Sequence, residues 1–172
     1  MQINFQNIKA GHLNLLHRWF MQPYIAYWWP EPSDFASFYI QWSQRINTGL
    51  SAYHTPWSGH LITVEKRPIG YIHHYRVKQD RYAEYLPFPP HAVSIDFFIG
   101  EPEYLGKKMS VPILHRYIDT IIKKDNPQST TLIIDPDITN TRAIHAYAKA
   151  GFKPIGSQTQ SHHTLLLMYK HI

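Results

Sequence analysis

The chain has no cysteine, so disulfides, thiolate nucleophiles and thiolate metal ligation are all excluded. It has no long apolar run: the stretch Leu165 to Tyr169 near its end is far short of a membrane span. The start, MQINFQNIKAGH, lacks a basic segment followed by an apolar one, so no signal peptide is expected and a soluble cytoplasmic protein is the default. There is no block of like charge. The net charge of +5 is shared by both halves, which argues against a nucleic-acid footprint. Twelve histidines are present, but none stands in an HExxH spacing. The pairs His73-His74 and His162-His163 are adjacent, and neighbours on a strand face opposite ways, so no metal site is expected. A G-x-S-x-G elbow is also missing, which leaves no serine-nucleophile signature.

What remains is a globular composition: 172 residues, 44% hydrophobic and 17% charged. That suits one domain, 1–172, with a substantial core. Ile3 and Phe5 alternate as in a short strand. Leu13, Leu16, Trp19 and Phe20 follow helical spacing. After Ser33, the residues Phe35, Phe38, Tyr39, Trp42 and Ile46 predict one face of a helix ending at Gly49. Residues 60–65 and 69–77 read as a hairpin joined by Lys66-Arg67-Pro68. Residues 78–90 read as a Pro-rich loop, a candidate lid. A strand is expected over 91–99, a turn over 105–110, and then a helix marked by Val111, Leu114, Ile118, Ile121 and Ile122, with Pro112 in its first turn. A strand at 130–135, a helix after Asn140 and two final strands complete an α/β chain with a mixed sheet.

The segment DPDITNTRAIHAYAKAGF, 135–152, is the most informative. It reads as strand end, turn, helix and glycine stop. Asn140 and Tyr147 are seven apart, hence on one helix face. Tyr147 could wall a small-molecule site or be a core aromatic. Asp96 interrupts the apolar strand Val93 to Ile99, where aspartate is disfavoured. It shares a face with Ser94 and Phe98. The turn after it feeds a helix N-terminus, a general anion site suited to a pyrophosphate. Asp135 ends the following strand, where ligand crevices of open α/β sheets occur, or simply caps the turn before Pro136. The rings of Tyr27-Trp28-Trp29-Pro30 are core or pocket wall.

Together these residues resemble the GCN5-related N-acetyltransferase (GNAT) superfamily, most of all its aminoglycoside 6′-N-acetyltransferases. The likeness rests on HRWFMQPYIAYWW, on Arg67 to Tyr71, on Ser94-Ile95-Asp96 followed by Leu105-Gly106-Lys107, and on the 135–152 segment. It implies a mostly antiparallel mixed sheet of about seven strands with about four helices. It also implies acetyl-coenzyme A as donor and a primary amine of a polyamine or amino sugar as acceptor. No metal, nucleic acid or membrane partner is expected.

By the same resemblance, Asp96 orients or deprotonates the amine, Tyr147 is the general acid, and Asp135, Trp28 and Trp29 border the acceptor. Phe97, Phe98 and Ile99 would meet the pantetheine arm. Leu105, Gly106, Lys107, Lys108, Met109 and Ser110, with Asn140, Ala143 and Tyr147, would hold the rest of the cofactor. The chain departs from the family's R/Q-x-x-G-x-G/A loop, because Lys108 and Ser110 replace both motif glycines. Lys107 and Lys108 would then add charge beside the phosphates. Two rival readings are a siderophore-type or protein-amine acyltransferase and a weakly binding, non-catalytic module. Siderophore acyltransferases typically carry histidine where this chain has Asp96.

Overall fold

The computed structural model describes residues 2–78, 91–160 and 163–172. Its strands are β1 (Ile3–Asn7), β2 (Trp57–Val64), β3 (Arg67–Arg76), β4 (Val93–Ile99), β5 (Thr131–Ile134), β6 (Lys153–Gln160) and β7 (His163–His171). They hydrogen-bond in the order β1-β2-β3-β4-β5-β7-β6. Of the pairings β1–β2, β2–β3, β4–β5, β5–β7 and β6–β7, β4–β5 alone is parallel, so the sheet is mixed and mostly antiparallel, as expected. The chain divides into two compact units. The first comprises 1–75 and 96–107, the second 76–95 and 108–172. The candidate lid at 78–90 lies, apart from Lys78, outside the described residues.

In the first unit, α1 (Leu13–Phe20), the short α2 (Pro23–Ala26) and α3 (Phe35–Thr48) bring large rings onto β2 and β3. Leu13, Leu16, Trp19, Phe20, Phe38, Trp42, Leu61 and Tyr71 form its buried core, and Trp29, Trp57 and Phe98 pack against it. The N-cap of α3 is Asp34, whose Oδ1 accepts from the Ser37 N–H at 2.8 Å, one residue later than Ser33 suggested. Gly49 ends the helix at φ 63°. Only Phe38 and Trp42 of the expected face are buried. Phe35 and Tyr39 sit on its exposed flank with rings 5.9 Å apart. The hairpin turn also moves. Glu65 and Lys66 form it, with φ of 50° and 70°, while Arg67 and Pro68 already belong to β3. A two-residue turn with both centres left-handed matches strand twist better than the longer turn the proline suggested.

In the second unit, α4 (Ser110–Tyr117) starts where Pro112 required. It passes through a wider π-helical turn at Ile118–Ile122 and ends as α5 (Lys123–Asp125). It buries Ile113, Leu114, Tyr117, Ile118 and Ile122. All four residues of β5 are buried. The helix α6 (Thr141–Lys149) precedes Gly151, at φ 94°, and buried Phe152. The Ala150 carbonyl at the end of α6 accepts from the Lys170 ammonium at 2.7 Å and lies 3.2 Å from His115 Nε2. A cationic donor such as Lys170 at a helix C-terminus satisfies an orphan carbonyl and opposes the helix dipole. With the His115 contact it ties α4 and β7 to α6.

Candidate functional site

In the first unit, β4 alternation turns Asp96 and Phe98 toward the aromatic face. Phe98 meets Trp19, Phe20, Trp29 and Tyr71, with ring centroids 5.0 to 6.3 Å away. Asp96 meets His73 of β3, with Nε2 at 3.2 Å from Oδ2. The Asp96 side chain is 33% exposed and that of His73 only 7%. A carboxylate can only accept, so the shared proton sits on Nε2. His73 Nδ1 is buried without a hydrogen-bond partner among the described residues.

The Trp28-Trp29 pair splits. Trp29 turns inward, edge-on to His73 at 5.3 Å, whereas Trp28 is exposed against Tyr27. Glu31, which sequence reasoning passed over, sits behind this wall. It accepts from the Trp42 indole N–H at 3.2 Å and from the Gln41 amide at 3.1 Å. Burial raises its carboxyl above the usual range, while bonds from Trp42 and Trp29 and the charge of Arg45 oppose the rise. The Arg45 guanidinium lies 4.6 Å over the Trp42 ring. Tyr71 is fully enclosed. Burial pushes its phenol well above 10, Arg45 opposes, and Asp96 and Glu31 add to the rise. The face therefore combines two partly buried carboxylates and a wall of rings, a setting that favours a cation.

In the turn after β4, one of the two replaced glycine positions is left-handed. Gly106 and Lys108 are both left-handed, at φ 75° and 55°. Lys108 thus keeps the backbone shape a glycine would supply, at a cost of about 1 kcal/mol. Gly106, Lys107 and Lys108 are exposed, and the Lys107 ammonium lies 5.3 Å over the Tyr104 ring. Met109 caps α4 with no side-chain hydrogen bond, and Ser110 opens the helix. The first N–H groups of α4, before Pro112, carry no side-chain cap.

In the second unit, Asn140 is the N-cap of α6. Its Oδ1 accepts from the Ala143 N–H at 3.1 Å, which commits that donor to the helix and leaves the Asn140 amide nitrogen for other work. Two turns on, Tyr147 is 8% exposed, with its ring edge-on to Phe152 at 6.1 Å. Asp135 lies half-buried just past β5. The turn chemistry falls to Asp137, which was not singled out. Its Oδ1 accepts from the Thr139 N–H at 2.8 Å and the hydroxyl at 2.6 Å, and its Oδ2 lies 3.0 Å from His163 Nδ1. Those hydrogen bonds hold its carboxyl below the ordinary range. The β4–β5 register ends at Ser94 and Ile133, so Phe97, Phe98 and Ile99 lie beyond its last pair. Among the described residues, no group of three or more His, Asp or Glu is arranged to hold a metal. His74 turns away from His73 and stacks on His60 at 6.2 Å. No helix of the described residues is long and apolar enough to cross a membrane.

A family model for the GNAT acetyltransferase domain matches residues 9–159. The chain belongs to the GNAT acetyltransferase family. It is therefore an N-acetyltransferase with acetyl-coenzyme A as donor. Aminoglycoside N(6′)-acetyltransferase type 1 of Klebsiella pneumoniae is 26% identical over 155 residues, covering 86% of this chain and 72% of that enzyme. Among solved structures, an aminoglycoside acetyltransferase in complex with coenzyme A superposes with a TM-score of 0.82. It is 24% identical, and the match covers 99% of this chain and 95% of that one. Spermidine N-acetyltransferase from Vibrio cholerae, in complex with coenzyme A and spermine, has the same fold, with a TM-score of 0.74 at 16% identity. That match covers 99% of this chain and 95% of the other.

Proposed function

We propose that the protein acetylates a primary amine of a small polycationic acceptor, a polyamine or an amino sugar, by direct transfer from acetyl-coenzyme A. The observation that carries this reading is Asp96: a carboxylate inside an apolar strand, held by His73, whose own ring packs edge-on to Trp29. An alkyl ammonium has a pKa of about 10 and must lose a proton before it attacks a thioester. Asp96 holds that ammonium by charge and accepts the proton, directly or through a water. The Trp29 ring adds a face that attracts cations. Backbone N–H groups of β4 beyond Ser94 stabilise charge growing on the carbonyl oxygen. The Tyr147 hydroxyl gives a proton to the departing sulfur. The α4 N-terminus with Lys107 and Lys108 holds the pyrophosphate, Asn140 contributes its amide nitrogen, and Asp135 draws further positive charge of the acceptor. Two independent likenesses support the acceptor class: the Klebsiella relative is named for an aminoglycoside, and the Vibrio structure holds spermine.

The test is an acceptor screen with acetyl-coenzyme A against spermidine, an aminoglycoside, free lysine, a hydroxylamine and a lysine peptide. Turnover with spermidine or the aminoglycoside well above the other three is expected. Exclusive turnover of hydroxylamine or peptide, or none at all, would overturn the reading.

A further inference from the structure

His73 is set so that it can do one thing well. Its position in β3 is pinned by pairing with Gly59 of β2. Its ring is enclosed by Trp29 at 5.3 Å, Tyr71 at 5.6 Å, Tyr75 at 5.8 Å and Trp57 at 6.1 Å. An imidazole boxed in this way cannot swing. Its Nε2 is committed to Asp96 Oδ2, and its Nδ1 has no hydrogen-bond partner among the described residues. A proton relay needs a second partner to pass the proton on, and Nδ1 has none among the described residues. A simple packing role would not place a polar ring tip at 3.2 Å from the half-open carboxylate of β4. A buried polar atom left unpaired is destabilising, a cost that an apolar residue at this position would avoid.

We infer that His73 is a positioning residue for Asp96: its Nε2–H holds Oδ2 and turns Oδ1 toward the acceptor amine, without itself exchanging a proton during turnover. The inference deepens the proposed acetyl transfer and rests on it for the identity of the amine. The ionisable groups around His73 are Asp96 on β4, Tyr71, Tyr75 and His74 on its own strand, and His60 on β2. Burial, with a smaller push from His73, lowers His60 to about 4. Burial, then His60 and His73, lowers His74 to about 3. Tyr71 is shifted well above 10. None of these three titrates between pH 6 and 9.

The test compares wild type with His73→Gln and His73→Leu, in steady-state kinetics against the amine between pH 6 and 9. A long-range ¹⁵N–¹H spectrum of the wild-type imidazoles accompanies the kinetics. Glutamine keeps an N–H donor at about the same reach and cannot titrate; leucine keeps only the bulk. His73→Gln should stay within about fivefold of wild-type kcat/KM and keep the same pH profile. His73→Leu should lose about tenfold or more in kcat/KM for the amine, with the KM for acetyl-coenzyme A unchanged. The spectrum should show the proton on Nε2. If His73→Gln is as impaired as His73→Leu or loses a limb of the pH profile, His73 moves a proton and the inference falls. Wild-type kinetics in His73→Leu would reduce the contact to packing and also overturn it. A proton on Nδ1 overturns it even if the leucine variant does not fold. Absence of acetyl transfer by wild type to every amine, with the proton found on Nε2, would instead retire the proposed acceptor chemistry and support the His73–Asp96 pairing.

Discussion

The two units of this molecule prepare for chemistry by different means. In the first, the proposed working groups are side chains set against rings: Asp96, His73, Glu31 and Tyr71, each shaped by residues on other elements. In the second, the proposed working groups sit at helix ends: the uncapped start of α4, the Asn140 cap of α6 and the Tyr147 phenol two turns later. A helix terminus is local, so a single substitution perturbs it by little. A buried polar network is collective, so the first unit should be far more sensitive to pH and to mutation.

The largest expected difference is in acid stability. His60 and His74 are both buried and held neutral, with values lowered from 6.5 to about 4 and about 3. The unfolded chain therefore binds protons that the folded chain refuses. Their contribution is complete above about pH 6.5 and is lost as pH falls toward 4 and then 3. Each pH unit in that window costs about 1.4 kcal/mol per histidine, so between pH 6.5 and 5.0 the pair removes about 4 kcal/mol. Urea unfolding at pH 7.5 and at pH 5.0, a window above most carboxylates, measures this. The double variant His60→Leu/His74→Leu should flatten the slope, and an unchanged slope would place the acid sensitivity elsewhere.

Effects in the second unit should be smaller. Asn140→Ala removes the α6 cap and should cost about 1 kcal/mol, read as a lowered urea midpoint at constant m-value. Smaller still is Lys108→Gly. Relief of left-handed strain, about 1 kcal/mol, is offset by the extra chain entropy of glycine, about 0.5–1 kcal/mol. Melting temperature should hardly move, and coenzyme A affinity by calorimetry should stay within tenfold. A loss beyond tenfold would show that the Lys108 charge, and not the backbone shape of the turn, binds the pyrophosphate.

The same contrast explains what was legible in the sequence. The second unit announced itself because its devices are spelled locally: Pro112 in a first turn, Asn140 three residues before the N–H it caps, Gly151 after the last helical residue. The strands and the mixed sheet followed from alternation and from the family likeness; the order in which the strands pair emerged only from the fold. The first unit was only partly readable. Asp96 stood out because it violates strand propensity. Its partner His73 did not, since a histidine in a strand has no local signature and the pairing joins β3 to β4 across 23 positions. Strand alternation had already separated His73 from His74, which was the one available clue. Glu31 was hidden for the same reason, because its donors come from α3 and are invisible until the helix docks. Turn details failed where two solutions were equally polar. Ser33 and Asp34 are both good caps, and a Pro-containing turn competed with the tighter Glu65-Lys66 turn.

The claim that Asp96 acts on the acceptor amine is tested most directly by steady-state kinetics and thermal melting of Asp96→Asn on one preparation. Asparagine keeps the shape and an oxygen to accept from His73 Nε2, and removes the charge. Turnover of the amine should fall by about 10²-fold or more, the usual scale for a general base, while the melting temperature and the KM for acetyl-coenzyme A stay near wild type. Near-normal turnover combined with a lowered melting temperature would contradict the account and make Asp96 a structural partner of His73.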